Sequence, residues 1–258
     1  MKEIMTKVLF VAALLPFMLA CTGGQTGTSG STAPTDSVCF NFEDDQIVCN
    51  IKADVPSPEL ALAVGEWLDE QLGGCYDGDA RDMQALIDFY GHAWSDTLRN
   101  AAEEVLGMIT EFDATMEKDY ETDRFVTYTL NTCLGLGGAH PTSSVIGVTF
   151  RKSDGRRLDW DIVRNYFGYR IKEIIKDKLT DYFEVGTDEE LEECLFEIPA
   201  YNIPLPQTPP FFTENGVSFI YQQYEISAYA YGMPNDVIPY DTIHPLLTGQ
   251  AKRLIEGL

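Results

Sequence analysis

Histidine is scarce, with three in 258 residues, at positions 92, 140 and 244. They are too few and too scattered to point to a metal centre, and no metal or other cofactor is expected. Basic residues are outnumbered, 18 Lys and Arg against 41 Asp and Glu, for a net charge of −23. Such a field repels nucleic acid and anionic headgroups and favours basic partners. No Cys-x-x-Cys pair occurs, which removes zinc-ribbon and thioredoxin-type readings. The chain also has no Gly-x-Ser-x-Gly elbow, no His-Glu-x-x-His, no P-loop and no Gly-x-Gly-x-x-Gly after a strand. Acidic pairs abound, but nothing marks one as a glycosidase pair. The longest uninterrupted apolar run, Val8–Leu15, is too short to span a bilayer.

What is present begins with that run. Lys2 and Lys7 precede it, and it leads to Met18-Leu19-Ala20-Cys21, a lipobox with Met at the usual leucine position. Residues 1–20 are therefore expected to be a lipoprotein signal peptide, with Cys21 lipidated and the chain anchored to a membrane. Removing Lys2, Lys7 and Glu3 takes away a net +1, so the mature charge is −24. Thr22 to Ser37 is rich in Thr, Gly and Ser and reads as a flexible tether, with a reach on the order of 20 Å. The neutral residues after Cys21 favour the outer membrane facing the periplasm over the cell surface. The folded part, 38–258, is long enough for a sizeable core.

Five cysteines remain after Cys21, an odd number, so at least one thiol is free or pairs between molecules. Cys39 and Cys49 are equidistant from Asp44. A hairpin centred there sets them face to face, and a disulfide between them is expected.

Along the folded part, two strands (38–42 and 47–53) precede a helix opened by Pro56-Ser57-Pro58, with Leu60, Val64, Trp67, Leu68 and Leu72 on one face. Asp79 is expected to cap a second helix, continuing to about Leu106. From Met108 the apolar period switches to two, and strands over 108–115, 125–134 and 144–151, with a Ser153-Asp154-Gly155 turn into Arg157-Leu158, predict an antiparallel meander. Lys118–Arg124 is expected as a turn. Trp160–Phe183 is predicted as helix, and Thr187 with Glu190 as a capping box. Phe211–Thr213 and Val217–Tyr221 flank a predicted type I′ turn at Glu214-Asn215-Gly216. Asp241 is expected to cap a helix to Leu258. The fold class is α+β, an antiparallel sheet with helices packed against it, as a single domain.

The most specified stretch is Gly137-Gly138-Ala139-His140-Pro141, a tight loop between two strands. His140 reads first as a residue fixing the turn and second as a ligand contact. Tyr221, Tyr224, Tyr229 and Tyr231, with Glu225 among them, gather in a late aromatic segment. Tyrosines offer large contact area at little entropy cost.

Gly-Gly-Ala-His at 137–140 and Tyr-Glu-Ile-x-x-Tyr-Ala-x-Gly at 224–232, with the Asp154-Gly155 hairpin between, resemble the RsiV-like family of domains of unknown function. That module closes lysozyme-sensing anti-sigma factors and accompanies some peptidoglycan deacetylases. The likeness runs from about residue 45 to 250, with Ser227-Ala228 where the family commonly has Ala-Pro. It implies a non-catalytic α+β domain that in the sensor branch binds lysozyme. The deacetylase's Asp-Asp and His-x-x-x-His ligands belong to a separate domain and are missing here, as are the transmembrane helix and cytoplasmic segment of a sigma-factor regulator.

Together these features point to a non-enzymatic envelope lipoprotein that binds a protein such as lysozyme, or a cell-wall fragment. Candidate ligand-binding residues are Gly137, Gly138, His140, Pro141, Tyr221, Tyr224, Glu225, Tyr229 and Tyr231. A glycan- or peptidoglycan-processing enzyme using His140 or a carboxylate pair is the alternative. A structural accessory subunit of an envelope complex is the third reading.

Overall fold

Strong period-two patterning builds the first sheet. In the computed structural model, which describes residues 36–105, 108–165 and 168–256, six strands pair in sequence order. They are β1 (Ser37–Glu43), β2 (Ile47–Asp54), β3 (Thr110–Glu121), β4 (Phe125–Gly135), β5 (Thr142–Arg151) and β6 (Arg157–Leu158). The signal segment, Cys21 and nearly all of the tether lie outside the described residues.

Between β2 and β3 run two helices, α1 (Ala61–Leu72) and α2 (Met83–Glu104). They cross over one face of the sheet, so β2 and β3 pair in parallel, while β1–β2 and β3 through β6 pair antiparallel. The fold is α+β as expected, with this one parallel pair interrupting the antiparallel order. The apolar stripe Val64, Trp67, Leu68 and Leu72 meets Leu86, Ile87, Tyr90 and Leu98 over the sheet residues Ile51, Phe112, Met116, Tyr128 and Phe150. Burying each such side chain contributes roughly 1.5–3 kcal/mol. The cap of α2 is Asp82, which accepts from Ala85 N, rather than Asp79. Asp79 instead accepts from Arg81 N in the preceding turn.

The second half of the chain is made of short pieces. α3 (Tyr169–Tyr182) and α4 (Asp188–Cys194) precede a second sheet of β7 (Phe211–Phe212), β8 (Gly216–Ile220) and β9 (Asn235–Pro239). α5 (Tyr240–Ile243) and α6 (Gly249–Glu256) end it. Its core gathers Ile171, Ile175, Leu179, Leu191, Phe212, Phe219, Ile226 and Leu247, and reaches back to Phe125 of β4. The Thr187–Glu190 capping box forms as its sequence predicts.

Several local expectations differ from the structure, each for a visible reason. Trp160–Phe183 is not one helix: Asn165 is left-handed (φ 51°), Gly168 is extended, and Val163 bridges to Leu247. The C-terminal helix is likewise split. Pro245 supplies no amide donor, and Leu247 is extended. The strand before Lys118–Arg124 runs on to Glu121 through a register shift, held where Tyr120 packs on Phe125 at 5.6 Å. The β7–β8 turn is not type I′, because neither Glu214 nor Asn215 has positive φ. Gly216 is needed for a different reason: a Cβ there would sit 2.1 Å from the carbonyl oxygen of Ile238.

The Cys39–Cys49 bridge is also corrected. The hairpin pairs Glu43 with Val48, so it centres between Asp45 and Gln46 rather than on Asp44. Cys39 then lies opposite Lys52, and Cys49 opposite Phe42. A register displaced by an odd number of residues sends the two thiols to opposite faces of the sheet. Cys49 is buried under α2 with its thiol toward Gly91 O at 3.6 Å, Cys39 is exposed, and both are free.

Candidate functional site

The loop between β4 and β5 is fixed at Gly137 for two reasons. Its φ is +78°, and a Cβ there would stand 2.9 Å from the Val105 side chain. A Cβ at Gly138 would meet only the His140 carbonyl oxygen, at an ordinary 3.8 Å, so its need is not steric. The turn places His140 at the surface. His140 Nδ1 lies 3.3 Å from the carbonyl of Pro141, and Nε2 lies 3.1 Å from the Tyr224 hydroxyl. A carbonyl only accepts, so Nδ1 donates to Pro141 O, while Nε2 shares a hydrogen bond with the phenol. The imidazole also stacks on Tyr229, with centroids 3.6 Å apart and planes 17° apart. Tyr224 and Tyr229 lie 5.9 Å apart. Two segments 84 residues apart thus form one aromatic patch at the surface, with His140 and Tyr224 exposed and Tyr229 half-buried.

Tyr224 is 53% exposed and sits at φ +62°, a conformation that costs a bulky residue on the order of 1–3 kcal/mol. The neighbours hold it there. Glu225 accepts from Gln222 N through Oε2 and from Gln207 N through Oε1, both at 2.7 Å. The Gln222 carboxamide then pairs with β5 as another strand would: its Oε1 accepts from Val145 N at 3.2 Å, and its Nε2 donates to Val145 O at 2.9 Å. Gln223 accepts from Ser143 N at 2.9 Å. The tyrosine segment is therefore clamped to the strand that follows the histidine loop.

Not every expected site residue belongs to this patch. Tyr221 is fully buried and donates to Pro204 O at 2.6 Å, and burial pushes its phenol far up, so it is a core residue and cannot touch a ligand. Glu225 has both carboxylate oxygens on backbone amides and acts as a staple. Tyr231 is exposed but packs edge-on against Phe183 at 5.2 Å. Its phenol is pushed up by a hydrogen bond to Cys194 and that thiol's charge. Gly137, Gly138, His140, Pro141, Tyr224 and Tyr229 come together.

Beside the patch lies a polar shelf that sequence reading missed. On the face of the first sheet away from α1 and α2, the cross-strand partners Asn41, Asn50, Asp113, Cys133 and Ser143 form one row. Cys39, Lys52, Thr115, Asn131 and Val145 form the next. Asn50 donates to Asp113 at 2.8 Å. A depression of about 320 Å³ opens where this floor meets Met233, one residue beyond Gly232. The available signal was the polar half of the alternation in β3, Glu111, Asp113 and Thr115, which reads as ordinary solvent exposure until the strands are paired. Among the described residues, no group of three or more His, Cys, Asp and Glu is arranged to hold a metal ion.

Comparison with known proteins bears on the fold. Residues 161–241 match the profile of the family described as "Protein of unknown function (DUF3298)". That segment covers α3 through β9 and includes Tyr224 and Tyr229, while His140 lies before it. A crystal structure of a DUF3298 family member from Bacteroides fragilis superposes with a TM-score of 0.64 at 17% identity, covering 86% of this chain and 96% of that one. A DUF3298 family protein from Pseudomonas aeruginosa gives 0.59 at 13% identity, covering 85% and 97%. At these identities the likeness concerns the fold. No curated protein matches the chain in sequence.

Proposed function

We propose that this chain is a non-enzymatic envelope lipoprotein that binds a protein or cell-wall ligand through the His140–Tyr224–Tyr229 patch. In this reading it is an RsiV-like module, anchored through lipidated Cys21 at the outer membrane and facing the periplasm. The observation that carries the reading is Tyr224. A bulky residue is kept in a left-handed conformation, clamped by Glu225 and Gln222, with its ring on the surface rather than in a core. Strain of that kind persists where the surrounding structure enforces it, and it clusters at ligand clamps. Exposed, pre-ordered aromatic rings are efficient contact surfaces because little side-chain entropy remains to be lost.

The chain's charge adds that a basic protein such as lysozyme would be steered toward it. The full mature chain should therefore bind either lysozyme or soluble muropeptides saturably, measured by calorimetric titration at low and at physiological salt. Tyr224→Ala should weaken that binding at least tenfold. Absence of saturable binding to both would overturn the reading.

A further inference from the structure

We infer that the shelf and the aromatic patch together form the track for a neutral, N-acetylated oligosaccharide chain. This rests on the binding reading above and deepens it by naming the ligand's chemistry. The two parts are physically joined. Ser143, on the floor, donates through its amide to Gln223, and Tyr224 is the next residue. Met233, at the other end of the same segment, closes the depression over Asp113, Thr115, Asn131, Cys133, Ser143 and Val145.

The side chains on the floor determine what fits. Asn41, Asn50, Asn131, Ser143 and Thr115 supply amides and hydroxyls to half of the two rows, Asp113 and Lys52 are their charged members, and Cys39, Cys133 and Val145 complete them. Asn41, Thr115 and Asn131 make no side-chain hydrogen bond among the described residues, so their donors and acceptors are free for a ligand. A basic protein would be met by carboxylates at its contact surface, and a polyanion by Lys and Arg. This floor carries few charges, and its amides and hydroxyls both donate and accept, the complement of sugar hydroxyls.

Such sites are built from an apolar surface and a few convergent polar groups. Here Tyr224 supplies an exposed ring for the C–H face of a pyranose, as amphipathic aromatics do, with the His140–Tyr229 stack beside it. Val145 and Met233 add a small apolar corner beside the amides, a place for an acetamido methyl group. The −23 charge of the chain disfavours anionic polysaccharides, which leaves neutral chains.

The test is calorimetric titration of the full mature chain with chitohexaose, a neutral N-acetylated oligomer, and with maltohexaose, which lacks acetamido groups. Lysozyme is titrated separately as the protein arm. Expected is saturable chitohexaose binding that changes less than about twofold between low and physiological salt, since screening acts on charged ligands. Maltohexaose should bind at least tenfold more weakly. Asn131→Ala should weaken chitohexaose about fivefold, the loss of one hydrogen bond, and Tyr224→Ala at least tenfold. Asn131 is exposed and unbonded, so its variant tests the shelf without disturbing the fold.

Lysozyme binding that Tyr224→Ala abolishes, with no chitohexaose binding, would overturn the sugar ligand and leave the patch reading standing. Failure of chitohexaose, lysozyme and soluble muropeptides alike would overturn both. Chitohexaose binding unaffected by either variant would place the sugar elsewhere and overturn the track. Equal binding of maltohexaose would overturn the acetamido assignment.

Discussion

One face of one sheet has two fates along its length. At one end of β4, Phe125 and Thr127 are buried beneath the second core, with Thr127 donating to Phe212 O at 2.8 Å and Phe125 edge-on to Phe212 at 5.2 Å. A few residues on, Asn131 and Cys133 on the same face lie uncovered or half covered. Both ends belong to one continuous strand, so secondary structure does not explain the difference. What changes is composition. The covered end supplies an aromatic ring and hydroxyls that Thr149 and Phe212 satisfy, and the open end supplies amides and hydroxyls, Thr115 and Asn131 among them, that make no side-chain hydrogen bond among the described residues. The second half of the chain closes over the part that gains from burial and stops where it would strand polar groups.

The largest test of that contrast is Phe212→Ala. Phe212 is fully buried between Phe125 and Tyr240, so its truncation should lower unfolding free energy by roughly 3–5 kcal/mol in denaturant titrations. Asn131→Ala, on the same sheet face but uncovered, should change it by no more than about 0.5 kcal/mol. Similar small effects at both sites would show that the second core does not close over this end.

The helix-covered face carries the next effect. Tyr90 is 3% exposed, and burial together with its hydrogen bond to the Asp69 carboxylate pushes its phenol up to about 12. The unfolded chain releases this proton near pH 10, while the folded chain holds it. The stabilisation is therefore present below pH 10 and is lost as pH rises toward 12, amounting to roughly 2–3 kcal/mol. The stability difference between wild type and Tyr90→Phe should shrink by that amount across this window. A difference that stays flat would contradict the Tyr90–Asp69 contact.

The smallest effect separates the two faces chemically. Cys39, on the open face, should react with a maleimide in the native protein. Cys49, under α2 and with its thiol pushed up by burial, should react only after unfolding. A native mass two hydrogens light, mapped to a Cys39–Cys49 peptide pair, would contradict the strand register.

Long periodic segments were legible in the sequence because one physical pattern dominates them. The stripe through Leu60–Leu72, the alternation through Phe112 and Ala114, and the Thr187–Glu190 capping box all stand as their spacing predicts. The pieces that went astray depend on distant partners. Whether Val163 extends depends on Leu247, and the parallel β2–β3 pair depends on where α1 and α2 carry the chain. The hairpin register turned on where the Asp44–Ile47 loop closes, and a three-residue displacement was enough to turn a disulfide into two unrelated thiols. The loop and the tyrosine segment could be named separately, but their contact is non-local. Tyr221 and Tyr224 are both tyrosines in one run, and only the fold shows one as core and the other as surface. The shelf was illegible because its rows are assembled from five strands.

The central claim is that the aromatic patch and the shelf act as one binding surface. The most direct measurement is the change in backbone amide resonances of the isotope-labelled mature chain as chitohexaose is added. The account predicts that the shifts concentrate at residues 138–145, at 113–115 and 131–133, and at 223–233. Shifts confined to another surface, such as the cleft lined by Trp67, Gln71, Arg157 and Gln207, or no shifts at saturating sugar, would contradict it.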